Sequence, residues 1–159
     1  MEIYLLRHGI AEDAKAGHPD SSRALTDEGR KKTAEVVKAA RRAGVAPALI
    51  ISSPYVRAVE TAEIAAEGFG NKRGIVRTET LVPHGLPENV WSELRDYRDE
   101  ESVLLAGHEP LMGHLAAYLL ASPALRIEVK KSALIRIDVG ALGHTPHGTL
   151  RWLITPKFC

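Results

Sequence analysis

Two rhythms of apolar residues alternate along this chain. Ile3 to Leu6, Ala48 to Ile51, Ile75 to Thr78 and Ser102 to Ala106 are short, mostly apolar runs that read as strands. Between them, apolar positions recur at helical spacing. Thr26 is a helix cap followed by Asp27 and Glu28, and Gly44 ends that helix. Its Val36, Val37, Ala40 and Ala43 share one face, while Arg30, Lys31, Lys38 and Arg41 face water. Ser53 reads as the cap of a second helix, opened by Pro54 and running to about Glu67. A third helix is expected over Glu88 to Tyr97, after the turn-rich "LVPHGLPE". Glu109 and Pro110 open a fourth, which carries Leu111, Leu115, Leu119 and Leu120. The tail departs from this order: Ala133 to Val139 and Thr149 to Ile154 form two strands around a Gly-rich loop. Strands alternating with helices predict a three-layer α/β/α sandwich with a mostly parallel central sheet. The whole of residues 1–159 is expected to form one domain.

Composition removes alternatives. Apolar residues make up 45% and charged residues 26%, as in ordinary globular proteins. With 21 basic against 20 acidic residues the net charge is +1, which gives no electrostatic footprint for nucleic acid or a membrane surface. Any bound anion must then be held by a few local charges. The one cysteine, Cys159, excludes a disulfide framework and a thiolate zinc site. No stretch has the length of a membrane span, and Met1 to Leu6 is too short for a signal core. A cytoplasmic location is expected.

The candidate chemistry lies where strands end. In open parallel sheets, ligands sit beyond the carboxyl ends of the strands, beside helix N-termini. The first strand ends on Arg7-His8-Gly9, the second leads into "SSPYVRAVET" with Arg57, and the fourth ends on "GHEP" with His108. Right-handed crossovers bring these ends to one edge, so two arginines and two histidines converge. That set suits phosphoryl transfer. Guanidinium groups hold phosphoryl oxygens through paired hydrogen bonds and keep their charge. A neutral imidazole is a nucleophile near neutral pH, and neighbouring arginines depress its pKa. Attack on phosphorus by a histidine gives a covalent phosphohistidine that water later cleaves. A second histidine can donate to the oxygens as charge builds on them. Gly9 lets the backbone pass close behind His8 and accept from its other ring nitrogen. This scheme uses no metal and no cofactor.

These residues resemble the histidine phosphatase superfamily, with its phosphoglycerate-mutase-like fold, and within it the short bacterial SixA-type phosphohistidine phosphatases. The likeness runs nearly end to end, through "RHGIAE", "RALTDEGR", the Arg57 segment, "LVPHG", "GHEPLMG" and "GTLRW". It implies that His8 is the nucleophile and that Arg7, Arg57 and His108 complete a phosphate pocket, with Arg23 as a further contributor. Two departures bear on substrate. Mutases and many small-molecule phosphatases of the superfamily follow the Arg-His-Gly triplet with threonine and asparagine, where this chain has Ala11 and Glu12. They also carry a general-acid glutamate just after the third strand, where this chain reads Leu81-Val82-Pro83-His84. General acid catalysis is worth ~10²–10⁴ in rate, so its absence disfavours an alkoxide leaving group. Phosphohistidine leaves more easily, because its imidazole can be protonated beforehand.

The resemblance therefore implies a phosphohistidine phosphatase acting on a protein, such as a phosphorelay domain. A phosphomonoesterase or mutase for a small phosphorylated metabolite stays open, as does a non-catalytic phosphate-binding module. His84 has two readings, a substrate contact or substitute acid and a plain turn residue. Glu60 is a structural partner for an arginine or a substrate contact. His144 and His147 sit in a loop with no acidic or thiol partner and read as loop residues.

Overall fold

A computed structural model describes residues 1–159. Strands β1 (Glu2–Arg7), β2 (Leu49–Ser52), β3 (Ile75–Arg77), β4 (Ser102–Gly107), β5 (Leu134–Val139) and β6 (Gly148–Ile154) form one sheet. Its order is β3-β2-β4-β1-β5-β6. The first four pair in parallel, whereas β5 runs antiparallel to β1 and β6 antiparallel to β5. The helices are α1 (Asp27–Arg42), α2 (Val56–Phe69), α3 (Pro87–Leu94) and α4 (Leu111–Leu119).

The period of two along each strand sorts side chains into two cores. Ile3, Leu5, Ile51, Leu105 and Ile135 pack with Trp91 of α3 and Leu115 of α4. Tyr4, Leu6, Ile50 and Leu104 pack on the opposite face with Val36 and Val37 of α1 and Ala62 and Ala65 of α2. Helices thus cover both faces, which gives the three layers that the hydrophobic pattern predicts.

Thr26 caps α1 as expected: its Oγ1 accepts from the Gly29 N–H at 3.0 Å. Elsewhere helix bounds shift. α2 begins at Val56, not Pro54, and Tyr55 is its N-cap residue with no side-chain cap bond. Ser53 instead extends the sheet register, its N–H donating to the Ala106 carbonyl at 3.0 Å, and its hydroxyl serves another residue. The third helix tightens to a 3-10 turn over Arg95–Tyr97. α4 starts at Leu111 and leaves Leu120 just beyond its end. No helix is long and apolar enough to cross a membrane.

Candidate active site

The ends of β1, β4 and β2 lie side by side and set His8, His108 and the start of α2 around one point. The His8 N–H donates to the Gly107 carbonyl at 2.9 Å, tying the two histidine-bearing strand ends together. The two imidazole rings lie 5.0 Å apart between centroids. Arg57, the second residue of α2, is 3% exposed, and His8 and His108 are also buried.

His8 is held in a defined tautomer. Its Nδ1–H donates to the Gly9 carbonyl at 2.7 Å, so Nε2 carries the lone pair and accepts from Arg57 Nε at 3.3 Å. The ring's pKa is lowered to about 4. Burial is the main cause, and Arg57, Arg7 and Lys131 add to it, while the Gly9 carbonyl pulls the other way. Desolvation, more than the neighbouring arginines, keeps this imidazole neutral.

Gly9 matters for a different neighbour than the sequence suggests. A Cβ there would lie 2.7 Å from Thr33 Oγ1 and 2.9 Å from the Gly29 carbonyl oxygen, both on α1. A Cβ on Gly29 would come within 2.1 Å of the Ile10 carbonyl oxygen. The segment after His8 therefore lies directly against the first turns of α1, and glycine on both sides permits the contact. Further bonds hold it there: Thr61 Oγ1 accepts from the Gly9 N–H at 3.2 Å, and the Ile10 carbonyl accepts from the Thr26 N–H at 2.9 Å.

His108 is held by a residue that sequence reasoning took for a helix cap. Ser53 Oγ lies 2.9 Å from His108 Nε2 and accepts from the Tyr55 N–H at 3.3 Å. The hydroxyl has no other acceptor for its proton, which therefore points to Nε2 and leaves the proton of a neutral ring on Nδ1. Burial lowers the His108 pKa to about 3, helped by repulsion from His8, which protonates first, and from Arg57. The Tyr55 ring packs edge-on against His108 at 5.0 Å and lies 5.1 Å from the Arg57 guanidinium.

Two buried side-chain polar atoms in the chain lack a partner, and they are Arg7 Nε and His108 Nδ1. Buried donors are nearly always satisfied, so this pairing marks a place made for hydrogen-bond acceptors. Arg7 is otherwise anchored by Nη1, which donates to the Val129 carbonyl at 2.7 Å. The Glu109 carboxylate accepts from the Val129 and Gly113 N–H groups at 3.2 and 3.4 Å, fixing the same corner.

Asp20 was missed at the sequence level. It sits in a 3-10 turn, Asp20–Ser22, and its Oδ2 accepts from Arg57 Nη2 at 2.8 Å, while its backbone carbonyl accepts from Nη1 at 2.7 Å. Its Oδ1 accepts from Arg23 Nε at 2.8 Å. Arg23 thus reaches the site through Asp20 and not by touching His8. The available signal was an acid three residues ahead of Arg23 in "DSSR". Partial burial raises the Asp20 pKa, but hydrogen bonds from Arg57 and Arg23 outweigh it and leave the carboxyl below the usual range.

His84 is exposed in the turn after Leu81 and shares no hydrogen bond or ring contact with His8, Arg7, Arg57 or His108. Glu60 takes the structural role, its carboxylate accepting from the Leu25 N–H at 2.6 Å and pairing with Arg30 at 2.5 Å.

The arrangement is a buried, cationic pocket with one unprotonated imidazole nitrogen among guanidinium donors. Residues 3–82 match the profile of the histidine phosphatase superfamily (branch 1). An uncharacterized protein of Picosynechococcus is 31% identical over 164 residues, covering 99% of this chain and 98% of that one. The chain belongs to the histidine phosphatase superfamily. It is a phosphatase with the phosphoglycerate-mutase-like fold of that group. A protein histidine phosphatase SixA, solved with tungstate, superposes with a TM-score of 0.88 at 25% identity over 99% of each chain. The α-ribazole phosphatase of Shigella flexneri superposes at 0.76 with 18% identity, over 98% of this phosphatase and 97% of that chain, and shares the fold.

Proposed function

We propose that this phosphatase, working as one catalytic unit over residues 1–159, removes a phosphoryl group from a protein histidine by way of a phospho-His8 intermediate. The observation that carries the reading is the His8 tautomer: Nδ1–H is committed to the Gly9 carbonyl, and the Nε2 lone pair lies in the pocket beside Arg57. Nε2 attacks phosphorus, and the bond from phosphorus to the substrate's imidazole nitrogen breaks with its electron pair staying on that nitrogen. Arg7, the free N–H groups of Arg57 and His108 Nδ1–H receive the phosphoryl oxygens, using both buried atoms that lack a protein partner. Water then attacks phospho-His8, releasing inorganic phosphate and restoring the neutral ring.

The leaving group argues for phosphohistidine. Asp20 is the carboxylate bonded to the pocket's arginine, and its lowered pKa makes it a poor proton donor at neutral pH. The turn after β3 supplies Pro83 and an outward His84. A leaving imidazole can be protonated before the bond breaks, whereas a sugar or glycerol alkoxide cannot. The likeness to a protein histidine phosphatase supports the same choice.

The test is a substrate panel. Phosphohistidine, free and protein-borne, is expected to be hydrolysed faster than phosphate monoesters, and the wild-type enzyme should carry acid-labile phosphate on His8 during turnover. His8→Ala should abolish both. Monoester hydrolysis that exceeds phosphohistidine hydrolysis would replace this reading with a metabolite phosphatase. Failure of every donor to label His8 would leave a phosphate-binding module.

A further inference from the structure

The phosphate pocket has two flanks of unlike charge. On one, Glu12, Asp13, Lys15 and Arg23 border a hollow of about 190 Å³, with acids and bases in balance. On the other, Arg7, Lys32, Lys130, Lys131, Lys157 and Phe158 line a groove of about 790 Å³. Five cations there face a single carboxylate, Glu128, which is paired with Lys130. Lys32 is paired with Glu28 of its own helix at 2.6 Å. Lys131 and Lys157 have no carboxylate partner. In a protein whose net charge is +1 this is a concentrated surplus, and it adjoins the catalytic pocket through Arg7. The groove also holds the most exposed large apolar side chain of the molecule, Phe158, at 80%, with the Lys157 ammonium 6.0 Å from its ring. That residue lies in a short 3-10 turn, Pro156–Phe158, laid across α1.

We propose that this groove docks an acidic segment of the protein that bears the phosphohistidine, with carboxylates on Lys131 and Lys157 and an apolar side chain on Phe158. The inference rests on the protein-phosphohistidine reading above. Arg7 lines both the phosphate pocket and the groove, so a phosphoryl group that it holds brings the chain attached to it within reach of the groove's cations. Unpaired exposed cations act on encounter with an anionic partner more than on final affinity, and salt screens them. The groove therefore confers preference for acidic carriers through KM and association rate, and leaves the chemical step unchanged.

The experiment compares three substrates of the full-length enzyme. One is a phosphohistidine peptide flanked by glutamates and a leucine, one has those glutamates replaced by lysines, and one is free phosphohistidine. Wild type should prefer the acidic peptide, with the preference shrinking as salt rises. The exposed double variant Lys157→Glu, Phe158→Ala should lose about tenfold in kcat/KM on the acidic peptide at low ionic strength, in line with electrostatic effects on encounter. It should act on free phosphohistidine within about twofold of wild type, as expected for charges that serve encounter and not chemistry. Equal turnover of the two peptides by wild type, or an equal loss by the variant on free phosphohistidine, overturns the groove proposal and leaves the phosphohistidine reading standing. Hydrolysis of phosphate monoesters with no action on any phosphohistidine substrate overturns both.

Discussion

The parallel and antiparallel halves of the sheet bury different things. The ends of β1, β2 and β4 bury polar groups: His8, His108, Ser52 and Ser53, with Arg57 and Thr61 from α2 alongside. The antiparallel β5 instead buries Leu134, Ile135, Ile137 and Val139, and β6 beyond it leaves Leu150 and Leu153 exposed. Burying neutral imidazoles and a guanidinium costs stability unless each group finds a partner. The parallel half accepts that cost at one point and leaves two atoms, Arg7 Nε and His108 Nδ1, unmatched. The antiparallel half supplies apolar burial that offsets it. Chemistry and stability are thus held by neighbouring strands of one sheet, with β1 belonging to both.

That division can be broken or sharpened by experiment, taken in order of effect on turnover. His8→Ala heads the order with complete loss. His108→Ala should lower kcat by ~10²–10³, the usual loss for one donor to a developing oxyanion. Its thermal stability should fall as well, because the deletion leaves a cavity beside Tyr55 and the buried Ser53 hydroxyl without its partner. Acidification comes next and separates the two quantities. Between pH 6.5 and about 5, protonation of His8 should not lower turnover per folded molecule, because its pKa is about 4. Stability should fall over the same window. The unfolded chain's histidines take up protons near 6.5, whereas His8 and His108 in the fold do so only at about 4 and about 3. The unfolded state therefore binds more protons as pH drops, and stability falls with it. Paired denaturation and initial-rate measurements across that range check both halves of the claim. A rate that falls with a midpoint near 6.5 would show that His8 titrates like a free histidine. Least for turnover is Ile137→Ala in β5, which should cost about 2–5 kcal/mol of stability. Its kcat per folded molecule should match wild type. A large drop in kcat would mean that the antiparallel half does more than support.

Much of this was legible in the chain. Period-two and helical spacings placed every strand and helix to within a few residues, because each element buries one consistent face. Arg7, His8, Arg57 and His108 stood out because they follow strand ends, where local sequence and sheet topology point the same way. Asp20 and Ser53 did not. Each has a complete local explanation, an acid in a polar loop and a serine before Pro54, while its actual partner lies 37 or 55 residues away. Side chains whose role is fixed by a distant contact are hidden by any plausible near one. His84 stands apart: its place after the third strand suggested a substrate contact, and the structure leaves it exposed with no hydrogen bond to the four pocket residues. The leading part of burial in the His8 pKa was likewise invisible, since charge can be read from residue types but depth cannot.

Positions 9 and 29 carry a further consequence. With no room for even one carbon between the loop that follows His8 and α1, the helix acts as a mechanical stop against which Gly9 and Ile10 are seated. A stop without a spacer cannot be adjusted: these two glycines can vary only together with the backbone that separates them. Fraying of the first turn of α1 would remove the seat while the sheet and its core stayed whole. Such a molecule would keep its fold and lose its aim.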